Sequence, residues 1–322
     1  MTTNESQLRK LGPADNYSFT EKALFALTSL RQVARPKTNL IAVYGGEFGY
    51  ELMQWQGYVR ARRPKYKEVH VITFPGREYL YEGCGVSAHD IQLHAAGFRY
   101  GVLSPKESYR MAAGKAADLG WKDYDVFLPG LLGTQYHKRL FWRQEFRVFE
   151  EPPIDGIVRD ITFHFRAVQK SGDHVKNYPL ALAEKLVELC LSKGLSVSCI
   201  GHPDYSLCPR GCEDQRSVSL KGTVAAICSA RAMVGEISGP THLANLCGKP
   251  AILWAPFPHK VDYALRWNPF DVPLYIAADD THAPAPQRVL DTILGALQDM
   301  KSRTDNFQRP LFRLPAVRIA YY

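Results

Sequence analysis

The chain has 322 residues, 46% of them hydrophobic and 22% charged, with a formal net charge of +8. That length suits two domains of ordinary size. The composition excludes a disordered or fibrous chain, and no run reaches the roughly 18–20 apolar residues of a membrane span.

The excess of lysine and arginine favours an acidic partner, whether a nucleotide-sugar, an anionic membrane surface or nucleic acid. The N-terminus, Met1-Thr-Thr-Asn-Glu-Ser-Gln7, lacks a basic stretch followed by an apolar core, so no signal peptide is expected. The 7 cysteines are scattered, which argues for reduced thiols and a cytoplasmic protein. Only Cys208-Pro-Arg-Gly-Cys212 is closely spaced, and a lone CxxxC without a second pair of ligands does not specify a zinc site.

In chain order, residues 1–17 are polar. Ser18-Phe-Thr-Glu21 has the form of a capping box. It opens a helix with Leu24, Leu27, Leu30 and Val33 on about one face, stopped by Pro36. Asn39 to Tyr44 is a continuous apolar run, the pattern of a parallel strand covered on both faces. Gly45-Gly-Glu-Phe-Gly-Tyr-Glu51 follows and leads into a helix ending at about Arg63. A glycine loop with carboxylates between strand and helix is the ligand end of an open α/β sheet. Further strands are predicted at 69–74, 91–93 and 124–128, with a helix at 107–119. Basic residues gather at 60–67, at Lys138, Arg139, Arg143 and Arg147, and at 303–318.

Glu150-Glu-Pro-Pro-Ile-Asp-Gly156 reads as a stiff linker. Three segments follow from it: a first domain over 1–150, a second over 151–302, and a tail over 303–322 that packs back on the first. The second domain opens with a strand at 160–165. Arg166 stands at its carboxyl end, Lys170 in the loop after it, and a helix follows Asn177-Tyr-Pro179. The next strand, 195–200, leads to Gly201 and His202. A helix at 220–229 precedes a strand ending near Val234, and Gly235-Glu-Ile-Ser-Gly-Pro-Thr241 turns into a short helix before the strand at 251–254. Backbone N–H groups at such a helix start bind phosphate, and Ser238, Gly239, Thr241 and His242 add donors to the same anion. A short helix at 262–267, a strand at 274–277 and an amphipathic helix at 286–300 complete the series.

Ser238-Gly-Pro-Thr-His-Leu-Ala-Asn-Leu-Cys-Gly-Lys-Pro250, between two apolar strands, resembles the donor-phosphate segment of heptosyltransferase-like glycosyltransferases. The resemblance implies an α/β protein of GT-B type, two facing Rossmann-like domains with parallel sheets. It implies sugar transfer from a nucleotide-sugar to an acceptor hydroxyl, with inversion. That family carries an Asp in the first glycine loop as general base. Glu47 stands at the matching place here, and Glu51 is a second carboxylate nearby, so either remains a candidate. Arg166 and Lys170, with the helix start, would hold the diphosphate. Gly201, His202 and Glu236 would meet the nucleoside. No DxD motif occurs, and no metal or other cofactor is expected. The acceptor is left open among a saccharide, a lipid-linked sugar and a hydroxylated DNA base. A nucleotide-sugar epimerase and a non-catalytic nucleotide- or nucleic-acid-binding module remain as other readings.

Overall fold

The structure, a computed structural model, describes residues 19–90, 103, 105–128, 143–167, 176–254, 267–277, 282–306 and 317–320. The strand expected at 91–93, most of the short helix expected at 262–267, and Lys170 lie outside these residues. The chain divides into two compact units, Met1–Phe146 with Ile319–Tyr322, and Arg147–Arg318.

Unit 1 begins with helix α1 (Phe19–Ala34) and strand β1 (Asn39–Val43). A helical stretch follows: α2 (Phe48–Tyr50), a π-helical turn (Glu51–Trp55) and α3 (Gln56–Arg62). Then come β2 (Glu68–Thr73), β3 (Ser87–Asp90), α4 (Pro105–Asp118) and β4 (Tyr124–Phe127). The four strands form a parallel sheet in the order β3-β2-β1-β4. Leu40, Ile41, Ala42 and Val43 of β1 are fully buried, which is why the strand reads as an unbroken apolar run. Trp55 stacks on Phe127 with ring centroids 4.3 Å apart.

Two features of this unit do not follow from the sequence pattern. Leu27, Leu30 and Val33 of α1 do not face the core: they are 66%, 50% and 42% exposed. The helix meets β4 through polar groups instead. Arg31 pairs with Asp125, and the Gln32 amide donates to the Val126 carbonyl at 2.8 Å. The basic run at 60–67 is not wholly a solvated face either. Arg60 and Arg62 are buried. Arg60 donates to Gln56 Oε1 at 2.6 Å, and the Arg62 guanidinium lies 3.7 Å from the Phe127 ring centroid. Burial pulls the Arg62 pKa down to about 9. Neither residue can contribute to a nucleic-acid surface.

Strand β5 (Gln144–Arg147) pairs with β13 (Val317–Ala320) in a two-stranded sheet. Unit 2 is a second Rossmann-like series. Its elements are β6 (Arg159–Arg166), α5 (Leu180–Ser192), β7 (Val197–Cys199), β8 (Ser206–Leu207) and β9 (Glu213–Asp214). They continue with α6 (Leu220–Cys228), β10 (Ala230–Glu236), α7 (Gly239–Leu246), β11 (Ala251–Trp254), β12 (Leu274–Ile276) and α8 (Pro286–Asn306). The sheet runs β12-β11-β10-β6-β7-β9, with β8 antiparallel on β6. Its core joins Phe163 and Phe165 of β6, Leu186 and Val187 of α5, Trp254 of β11 and Ile293 of α8. Among the described residues no helix is long and apolar enough to cross a membrane.

Candidate active site

In an open parallel sheet, ligands bind beyond the carboxyl ends of the strands where the strand order reverses. Each unit has one such point. In unit 1 the chain passes from β1 to β2 and β3 on one side, then returns to place β4 on the other. The loop leaving β1 is Tyr44-Gly-Gly-Glu47. Gly45 is required there, because a Cβ would lie 2.3 Å from Leu103 Cγ. Glu47 precedes α2 in extended backbone (φ −65°, ψ 138°) and its side chain makes no capping hydrogen bond. Its carbonyl accepts the Tyr44 hydroxyl at 2.8 Å, which fixes the loop and leaves the carboxylate exposed.

Glu51 is placed otherwise. The π-turn brings it, with Leu52, Met53, Gln54 and Trp55, into the interior. Its carboxylate is fully buried and accepts from Thr73 Oγ1, from Tyr81 Oη at 2.7 Å and from Arg77 Nη1 at 2.7 Å. Burial raises its pKa, against the Arg77 charge and these hydrogen bonds. Burial and the Glu51 charge hold the Tyr44 and Tyr81 phenols well above their usual pKa. This placement corrects the reading of Glu51 as an alternative base. A carboxylate sealed from solvent with both oxygens engaged holds the loop, since Arg77 also donates to the Gly46 carbonyl at 3.0 Å.

In unit 2 the reversal lies between β6 and β10. Parallel pairing sets Gly235 opposite His164, which aligns the two carboxyl ends. Arg166 is the last residue of β6 and is partly exposed. Ser238 is the N-cap of α7 in extended backbone, with Gly239 and Pro240 opening the helix. Glu236 ends β10 instead of lying in the loop; it is buried, with His282 Nδ1 at 3.1 Å from its Oε1. His164 was not expected as a site residue. It is buried, its Nδ1 is 3.4 Å from Ser238 Oγ, and burial with the adjacent Arg166 charge lowers its pKa to about 4. The clue in the sequence was a histidine one residue from the end of an otherwise apolar half-strand.

Two of the expected anion donors turn inward. Thr241 is 1% exposed; its Oγ1 accepts the Ser238 N–H at 2.8 Å and donates toward the carbonyls of Glu236 (2.9 Å) and Ser238 (2.7 Å). It therefore shapes the loop as half of a capping box. His242 is buried, edge-on to Trp267 with centroids 4.8 Å apart, and burial lowers its pKa to about 3. Its ring is enclosed and carries no positive charge to offer an anion. Helical phase is the cause: a start at Gly239 points positions 241 and 242 at the sheet.

The two depressed histidines predict an acid-labile fold. An ordinary histidine titrates near 6.5, whereas His164 and His242 do so at about 4 and about 3 in the folded chain. Between those values the unfolded chain binds more protons, so their contribution is complete above pH ~6.5 and is lost as pH falls toward 4 and below. Melting temperatures measured across pH 4–7 should fall steadily on the acid side, with a shallower slope in His242→Gln.

Gly201 has φ +119°, and a Cβ there would lie 2.8 Å from His164 Cδ2 and 2.7 Å from Ser206 Oγ. It thus sits against the same histidine, while His202 is half-exposed, with Nδ1 accepting the Asp204 N–H at 3.2 Å.

The expectation that the chain carries no metal group is corrected by the loop after β7. The ligand atoms of Cys199, Cys208 and Asp214 all lie within 4.8 Å of one another, an arrangement able to hold a metal ion.

The sequence matches no protein-family model and no curated protein. Solved structures are similar. The glycosyl transferase family 9 protein from Veillonella parvula DSM 2008 aligns at 9% identity over 81% of this chain and 98% of that one, with TM-score 0.51. The E. coli ADP-heptose LPS heptosyltransferase II aligns at 13% identity over 82% and 99%, with TM-score 0.54. The iron-containing dodecameric glycosyltransferase TibC from enterotoxigenic E. coli H10407 aligns at 16% over 70% and 60%, with TM-score 0.43. Two parallel Rossmann-like units in this order, together with the first two likenesses, establish the fold of the chain as GT-B type.

Proposed function

We propose that the chain is a glycosyltransferase that moves a sugar from a nucleotide-sugar donor to an acceptor hydroxyl, with inversion at the anomeric carbon. The observation that supports this is the pairing of chemistry with topology. The reversal point of one sheet carries an exposed carboxylate free of a capping role. That of the other carries an arginine beside a helix start.

In this reading Glu47 takes the proton of the acceptor hydroxyl as its oxygen attacks the anomeric carbon. The bond to the diphosphate breaks, and the charge that develops there meets Arg166, the Gly239 N–H and the Ser238 hydroxyl. His164 orients Ser238, and Glu236 accepts from the ribose. Gly201 and His202 border the nucleoside, and Lys170 keeps its sequence-based assignment to the phosphates. The donor of the second structure above is an ADP-sugar by its name, so adenine nucleotides head the ligands to try.

The test is a thermal-shift panel of UDP, GDP, ADP, CMP and their sugar forms on wild type and Arg166→Ala. A ligand that binds only the folded state stabilises by mass action, about 2.7 kcal/mol at 100 times Kd. One nucleotide should raise the wild-type melting temperature. Loss of a charged hydrogen bond of about 1.5–3 kcal/mol should weaken it roughly 10- to 150-fold in Arg166→Ala. If no nucleotide shifts the wild type while duplex DNA does, the transferase reading fails.

A further inference from the structure

The excursion between β7 and α6 has a chemistry that sugar transfer does not use. The chain leaves β7 at Cys199, returns through β8, turns over Cys208-Pro-Arg-Gly-Cys212, and re-enters the sheet as β9 beside β7. Pairing of β7 with β9 sets Asp214 opposite Cys199. We propose that Cys199, Cys208, Cys212 and Asp214 form a tetrahedral site for a zinc-class divalent metal ion.

Three observations carry this. First, the spacing fits. Tetrahedral zinc, with bonds of about 2.1–2.3 Å, holds its ligand atoms roughly 3.6–3.8 Å apart. Cys199 Sγ lies 3.9 Å from Asp214 Oδ1, and the Cys199, Cys208 and Asp214 ligand atoms are mutually within 4.8 Å. Cys212 closes the same turn, with its backbone carbonyl 3.8 Å from Cys208 Sγ, which makes its thiol the candidate for the fourth position. Second, the carboxylate is already oriented. Arg216 donates to Asp214 Oδ1 from Nε at 2.8 Å and to Oδ2 from Nη2 at 2.7 Å. Ligating carboxylates are held by such outer hydrogen bonds, and the guanidinium offsets part of the charge of three thiolates and a carboxylate around a dication. Third, the ligand set is selective. Thiolates favour zinc over magnesium or calcium, which prefer all-oxygen shells.

The site would fasten the loop to the sheet. Arg216 already reaches across it to the carbonyls of Ser206 (2.8 Å) and Pro203 (3.2 Å). Binding releases the thiol protons and adds to folded-state stability. Nothing in the proposal depends on sugar transfer.

The test uses the full chain purified under reducing conditions. Elemental analysis should find about one zinc per chain. Exchange for cobalt(II) should give sulfur-to-cobalt charge-transfer absorption. Both should drop to background in Cys208→Ser/Cys212→Ser. A wild-type measurement guards against a variant that fails to fold. Alkylation with peptide mapping should find Cys199, Cys208 and Cys212 protected until a chelator is added, with Cys84 modified equally in both conditions, and the chelator should lower the melting temperature. Metal at background in the wild type, full metal in the double variant, or a disulfide among these three cysteines in the intact mass would each overturn the site.

Discussion

Glu47→Gln should lower turnover by about 100- to 10,000-fold, the usual worth of a general base. It should leave the nucleotide-induced thermal shift and the melting temperature of the free protein unchanged. The separation follows from placement. The Glu47 side chain is exposed and caps no helix, so removing its charge disturbs no packing. The proposed donor groups belong to the other unit. A loss confined to kcat identifies a group that acts on the reacting proton; a rise in KM alone would make Glu47 a binding residue. Full turnover in Glu47→Gln would remove the base from this loop altogether. Glu47→Asp is the informative companion, since it keeps the carboxylate and withdraws it by one methylene.

Glu51→Leu should act on stability instead, by about 3–5 kcal/mol, because removing one partner of a buried pair strands the other. Arg77 would keep its charge with its side chain only 15% exposed, and the Thr73 and Tyr81 hydroxyls would lose their acceptor. Against a typical domain stability of about 5–15 kcal/mol, that brings unit 1 close to unfolding at room temperature. Glu51→Gln should cost less, since the amide oxygen still accepts from the hydroxyls. Urea denaturation of the three proteins reads the order directly: wild type, then Gln, then Leu. Equal midpoints for Leu and wild type would mean that the network does not hold the loop.

The contrast between these two glutamates marks what the sequence could reveal. The strands were legible because both faces of a parallel sheet are covered, so NLIAV and AILW stand out as runs. The Gly-Pro-Thr turn was legible because its residues are dictated by a helix start. The burial of Glu51 was not. Its place follows from a π-turn, where the Gln56 N–H returns to the Glu51 carbonyl and shifts the helical phase. A reading at 3.6 residues per turn carries no sign of that. The stripe on α1 misled for the opposite reason, since periodicity reports an apolar face without saying whether a core meets it. Cys199 and Asp214 converge only through the pairing of β7 with β9, a two-residue strand too short to leave a pattern. His282 reaches Glu236 across 46 positions, a distance no local motif spans.

The strand order of unit 1 has a consequence for the chain during its synthesis. β1 is made first yet sits between β2 and β4, and Ala42 finds its second partner only in Phe127. At about 5–20 residues per second, the roughly 84 residues from Val43 to Phe127 take about 4–17 s to emerge. Throughout that interval one edge of a strand that is apolar from Leu40 to Val43 stays unpaired, the kind of edge that recruits foreign strands. The finished sheet closes it with β4. The risk of aggregation therefore belongs to the nascent chain, and a ribosome paused short of β4 would prolong it.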